Sequence, residues 1–215
     1  MKDKKMKTII INASPRKNWN TAQLLKSAQE GAKSVGADTE YIDLYDLNFT
    51  GCRSCLACKR KDVQRCKCYW KDDLSPLIDK ILQANTLLVG SPIYLSNTTS
   101  QFNALFERLI FSMLSYDDYS SYFKGKINLG IFYTMNAPKQ YYEQVLKPLV
   151  QNHINMARFF NGKVETYASC DTLQVSDYSK YSMAGFSEEH KKQVRDIQFP
   201  KDLQEAFNIG AKLSK

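Results

Sequence analysis

Short β-branched or apolar runs alternate with segments of helical spacing along the chain, and this alternation limits the fold more than any other feature. Thr8-Ile9-Ile10-Ile11-Asn12 opens the series, and runs at 39–44, 86–90, 127–133 and 163–169 repeat it. After Thr21 the apolar positions Ala22, Leu24, Leu25, Ala28, Ala32 and Val35 fall on one helical face. Segments 74–82, 100–114 and 140–160 have the same character. Continuous apolar runs suit strands buried on both faces, and a helix between two of them returns the second parallel to the first. The reading is an α/β chain with a doubly wound parallel sheet of five strands and helices on both faces. Its 215 residues suit one domain, 1–215. Within it, 51–73 is a cysteine-rich loop insertion. The tail 171–215 has helical segments at 188–196 and 203–213 and is too short for a domain of its own. It either covers a ligand, exchanges contacts across a dimer, or packs on its own sheet.

In an open parallel sheet the ligand lies beyond the carboxyl ends of the strands. Three polar loops stand there, 14–21, 91–97 and 134–136, and they are expected to converge. The first joins a strand directly to a helix, so free backbone N–H groups and the positive end of the helix dipole face the sheet edge. Ser14 and Thr21 offer hydroxyls, Asn20 an N-cap or amide donor, and Arg16 a fork for two phosphate oxygens. This is a phosphate site, or else a surface turn whose Ser and Asn merely cap the helix. His153 and His190 stand in helical or polar surroundings and read as surface residues. Cys170 reads as core.

The net charge of +8 raises nucleic acid as a partner. The Lys and Arg residues are scattered, densest at 1–7 and 59–65, with no basic helix and no RNA-binding aromatic signature. A basic surface equally suits an anionic small molecule, and no nucleic-acid partner is expected. No run approaches the roughly 20 apolar residues of a membrane span. The apolar run behind the basic start is too short for a signal peptide. The expectation is a cytoplasmic protein with no membrane partner.

Asn12-Ala13-Ser14-Pro15-Arg16 with Asn20-Thr21, Gly90-Ser91-Pro92-Ile93-Tyr94, the helix ending Phe106-Glu107-Arg108, and Lys71-Asp72-Asp73 behind the cysteines carry a family likeness. Over about 7–135 the chain resembles the NAD(P)H-dependent FMN reductases of the flavodoxin-like fold, close to the iron–sulfur flavoproteins. The resemblance implies a strand order of 2-1-3-4-5, FMN as cofactor and a homodimer or homotetramer. It puts the FMN phosphate on Ser14, Arg16, Asn20 and Thr21, and the ring beside Pro92, Ile93, Tyr94, Leu95 and Thr134. Trp19 either lies over the cofactor or simply packs. Ala13, Asn103 and Glu107 depart from the family's usual Gly, Lys and Asp, and the third loop lacks the usual Gly. The implied activity passes electrons from NAD(P)H through FMN to a quinone, nitro, azo or similar acceptor. The flavin carries that chemistry, so no catalytic side chain is expected. Alternatives are an electron relay fed by a ferredoxin-like partner, and a non-redox protein that binds another phosphorylated ligand.

Five of the six cysteines fall in one loop. Cys52-x2-Cys55-x2-Cys58 followed by Cys66 or Cys68 is a spacing that can wrap a [4Fe–4S] cluster. Cys66 fits the iron–sulfur spacing, whereas Cys68 fits the Cys-x3-Asp-Asp pattern of the wider group. A zinc site and a metal-free loop serving as lid or dimer packing are the other readings.

Overall fold

The computed structural model describes residues 5–215, so the first four residues of the basic stretch 1–7 lie outside the described residues. The chain runs β1 (Lys7–Asn12), α1 (Asn20–Ser34) and β2 (Asp38–Asp43), then through the cysteine loop to α2 (Leu74–Ile81). Next come β3 (Thr86–Tyr94), the two-residue β4 (Asn97–Thr98) and α3 (Ser100–Met113). β5 (Ile127–Thr134), α4 (Lys139–Tyr141), α5 (Lys147–Met156) and β6 (Asn161–Ser169) follow, and α6 (Glu188–Ile197) and α7 (Phe199–Leu213) close the series. The parallel strands lie in the order β2-β1-β3-β5-β6, the doubly wound arrangement expected.

The sheet is apolar on both faces because alternate strand residues point oppositely. Ile9 and Ile11, Leu87 and Val89, and Leu129 and Ile131 join a core closed by α2, α3 and α5. Ile10, Leu88 and Phe132 face the other way, onto α1 and α7. α1 and α7 cross at glycines: a Cβ on Gly31 would sit 2.0 Å from the Phe207 carbonyl oxygen, and one on Gly210 2.0 Å from that of Ala28. The tail therefore packs α7 on α1 at backbone contact.

Two elements differ from expectation. β3 continues past Gly90 through Tyr94, because Ser91 and Pro92 still pair with Tyr133 and Thr134 of β5 and Ile93 and Tyr94 pair antiparallel with β4. The hairpin tip is Leu95-Ser96, with φ of +49° and +61°. The helix expected over 140–160 is broken into α4, a π-helical turn (Tyr142–Leu146), α5 and a 3₁₀ turn (Ala157–Phe160). Pro148 explains the break ahead of α5: it has no N–H to donate and its ring crowds the carbonyl four residues back.

His153 is a correction. It lies in the core, 5% exposed, with Nδ1 2.8 Å from the Tyr133 hydroxyl and its ring among Phe102, Phe106 and Tyr133. Burial depresses its pKa to about 4. His190 is half exposed, as expected, and pairs with Asp171. Cys170 packs against the larger core, and burial pushes its thiol up to about 11.

Candidate functional site

The carboxyl ends of β1, β3 and β5 deliver three loops to one place. Asn12 shapes the first: its Oδ1 accepts from Ser14 N (3.1 Å) and its Nδ2 donates to Asp43 Oδ1 (2.7 Å). Ser14 Oγ then accepts from Arg16 N (3.1 Å). α1 starts at Asn20 with Trp19 before it and no side chain capping its first turn, so Asn20 is an amide donor and not the N-cap. Ser14, Asn20 and Thr21 are buried. Thr21 Oγ1 lies 2.7 Å from Thr134 Oγ1, which ties the first loop to the third. Thr99 binds the first loop to the second: its Oγ1 donates to the Ala13 carbonyl (2.8 Å) and its backbone N–H donates to Ser91 Oγ (3.0 Å).

Ser14, Arg16, Asn20, Thr21, Pro92, Ile93, Tyr94 and Thr134 line one cavity of about 140 Å³ together with Trp19, Met135 and Asn136. Leu95 does not: it is fully exposed at the hairpin tip. Asn136 Oδ1 is buried without a hydrogen-bond partner. An uncapped helix start, buried hydroxyls and a guanidinium are groups that suit an anion, and the apolar Pro92 and Ile93 line the same cavity.

The tail supplies the part of the site that the sequence did not reveal. Thr172 and Gln174 also line the cavity. The Leu173 carbonyl accepts from Trp19 Nε1 (3.1 Å) and Asn20 Nδ2 (2.8 Å), and the Gln174 carbonyl accepts from Arg16. This strap is anchored at Asp171, which pairs with His190 and Lys191. Burial works to raise the pKa of Asp171, but the hydrogen bonds from Lys191 and His190 outweigh it and hold the carboxyl below its ordinary value. Arg195 of α6 donates to Asn20 Oδ1 (3.0 Å) and Gln23 Oε1 (2.5 Å), turning the Asn20 amide N–H groups toward the strap. No local pattern in 171–195 distinguishes these residues, because their role depends on where β6 and α6 end up.

The cysteine loop leans on α3. Arg108, nearly fully buried, holds Asp72 through two nitrogens (2.5 and 2.9 Å), donates to the Thr50 carbonyl (3.1 Å) and to Cys68 Sγ (3.3 Å). Asp72 in turn accepts from the N–H groups of Leu74 and Ser75 at the start of α2. Burial raises the Asp72 pKa less than Arg108 and those N–H groups lower it, so the carboxyl stays below its ordinary value. Glu107 accepts from Cys52 N (3.2 Å). Lys59 donates to the carbonyls of Phe111 and Leu114 at the end of α3. Cys52, Cys55, Cys58 and Cys68 line one void of about 20 Å³ beside Arg108, whereas Cys66 does not line it. Burial raises the Cys58 and Cys66 thiols. Among the described residues no three His, Cys, Asp or Glu side chains converge into a ready metal-binding group, and no described helix is long and apolar enough to cross a membrane.

Comparison with known proteins gives this geometry a context. The sequence is 31% identical over 105 residues to an iron–sulfur flavoprotein of Methanosarcina thermophila, a match covering 49% of this chain and 53% of that protein. It is 35% identical over 103 residues to one of Archaeoglobus fulgidus, covering 48% of each. The chain thus spans about half the length of the curated relatives it matches. Among solved structures, an NAD(P)H:quinone oxidoreductase from Methanothermobacter marburgensis superposes with a TM-score of 0.72 at 16% identity, covering 99% of this chain and 98% of that one. An azoreductase from Bacillus anthracis gives 0.62 at 13% identity, covering 96% and 99%. At such identities these structures speak for the fold alone. The sequence profile of the NADPH-dependent FMN reductases matches residues 6–194, and the chain belongs to that family.

Proposed function

We propose that this protein binds FMN and passes electrons from NAD(P)H to a small acceptor of the quinone, nitro or azo class. The observation that carries the reading is the meeting of Ser14, Arg16, Asn20 and Thr21 with Pro92, Ile93, Tyr94 and Thr134 in one cavity under an uncapped helix start. The residues fit the group: cationic and neutral donors for a phosphate monoester, apolar cover for a ring, and a buried acceptor, Asn136 Oδ1, that lacks a donor. Bound FMN supplies hydride acceptance and one- or two-electron transfer. The chain's own part is to hold the phosphate with Arg16 and the α1 end and to keep the ring against Pro92, Ile93 and Tyr94. Titrating flavin-free protein with FMN and then following NADPH oxidation with a quinone tests the reading. No FMN uptake would sink it in favour of another phosphorylated ligand.

A second reading has its own observation. Four thiols, Cys52, Cys55, Cys58 and Cys68, line one void, a donor set whose chemistry suits a [4Fe–4S] cluster. On this reading Cys68 is the fourth ligand and Cys66 is not. Iron and sulfide assays on anaerobically purified protein should show loss in Cys68→Ser and retention in Cys66→Ser; the reverse would restore Cys66. Iron with flavin but no NAD(P)H turnover would favour the relay fed by a ferredoxin-like partner. Assembly into two or four copies belongs to the same family reading, and light scattering reads it directly.

A further inference from the structure

A second cavity, about 340 Å³, adjoins the first and is lined by Arg16, Trp19 and Gln174, which the two share, and by Asn18, Val175, Ser176 and Tyr181. Its lining holds one cation, two aromatic rings and several amide or hydroxyl groups, and no carboxylate. The Arg16 guanidinium lies 5.7 Å from the centre of the Trp19 ring. Its outer wall is built and not loose. Gln174 N donates to the Tyr178 hydroxyl (3.1 Å), Tyr178 is buried, and Asp177 caps the short turn Tyr178–Lys180 that leads to Tyr181. Tyr181 itself is half exposed at the rim.

Bases stack on aromatic faces, and a guanidinium bridges phosphates. We propose that this groove holds an adenylate group, with its phosphate at Arg16 and its adenine against Trp19 and Tyr181. The inference rests on the flavin-phosphate reading, which puts the other end of a dinucleotide in the adjoining cavity. The adenylate then comes either from FAD, whose pyrophosphate would continue from the flavin phosphate past Arg16, or from NAD(P)H bound to the FMN-loaded protein. In either case the contact between Arg16 and the Gln174 carbonyl is given up to the phosphate. Asn18, Ser176 and Tyr181 touch only the groove, so the two cavities can be tested apart.

The test compares native protein with Tyr181→Ala, both freed of flavin, for FMN and FAD affinity by fluorescence quenching. If FAD is the source, FAD binds about tenfold more tightly than FMN, and Tyr181→Ala removes that advantage while leaving FMN affinity unchanged. If NAD(P)H is the source, the two flavins bind alike, and Tyr181→Ala weakens NADPH binding to the FMN-loaded protein in stopped-flow titration. Tyr181→Ala moving none of these affinities overturns the proposal. Should neither flavin bind, the flavin reading fails separately, and equilibrium dialysis with AMP still decides the groove: binding weakened by Tyr181→Ala upholds it, and no binding to native protein ends it.

Discussion

At the scale of single residues, Arg16 and Arg108 carry the same charge and do different work. Arg16 bridges to one exposed carbonyl, so its loss should hardly move the melting temperature. A charge-assisted bond to phosphate is worth about 1.5–3 kcal/mol, so Arg16→Ala should weaken FMN binding about ten- to a hundredfold; unchanged affinity in a fluorescence titration would remove Arg16 from the phosphate site. Arg108 is 3% exposed and faces Asp72, Thr50 and Cys68. Arg108→Ala leaves the largely covered Asp72 carboxylate without its cation, at a cost of up to about 3–5 kcal/mol. Chemical denaturation should read that loss, and a change below about 1 kcal/mol would mean that water already screens the pair. The pairing links Phe106-Glu107-Arg108 to Lys71-Asp72-Asp73, two motifs visible in the sequence whose connection is not.

At the scale of elements, two places decide how the site is carried. The β3–β4 tip puts Leu95 and Ser96 both at positive φ, a geometry that Asn and Gly tolerate far better than Leu. Leu95 buries nothing, so Leu95→Asn should stabilise the fold by about 0.5–1 kcal/mol through relief of backbone strain. A lower melting temperature would show that Leu95 makes contacts in solution, for instance between copies or with the cofactor. The α1–α7 crossing depends on Gly31 and Gly210. Gly210→Ala forces the helices apart, since its Cβ would meet the Ala28 carbonyl, and a loss of about 1–3 kcal/mol is expected for such overpacking. Full stability of that variant would contradict the close crossing. Because α7 follows α6, a displaced α7 should also disturb Arg195 and the strap, and so weaken FMN.

At the scale of the molecule, His153 couples the core to pH. Its folded-state pKa, about 4, lies below the ordinary value near 6.5, so the unfolded chain binds the proton first. Stability is therefore full above about pH 6.5 and falls as the pH drops toward 4. A shift of this size corresponds to about 3 kcal/mol. The melting temperature should decline across that window, and the decline should flatten in His153→Gln; an equal slope in both proteins would assign it to other groups. The Asp72 and Asp171 carboxyls act at lower pH, where their depressed values make stability fall further as they protonate.

Alternating apolar runs and helical segments were enough to specify the parallel sheet, its five strands and the three loops at its carboxyl edge, because burial on both faces leaves a strand little choice of sequence. Ser14, Arg16, Asn20, Thr21, Pro92, Ile93, Tyr94 and Thr134 were readable for the same reason: loops that directly follow such strands must end at that edge. Leu95 stands outside the cavity by one residue of turn geometry, and His153 was assigned to the surface because the spacing of a helix does not say which face the π-helical turn before it will bury. Thr172, Gln174, Lys191 and Arg195 reach the site from a tail whose position depends on the α1–α7 contact. Likewise, cysteine spacing alone admits two candidates for a fourth thiol, and chain folding decides which one lines the void with the other three. Local sequence determined what each strand and loop is made of; only long-range packing decided which distant groups stand beside them, since those contacts join residues more than a hundred positions apart.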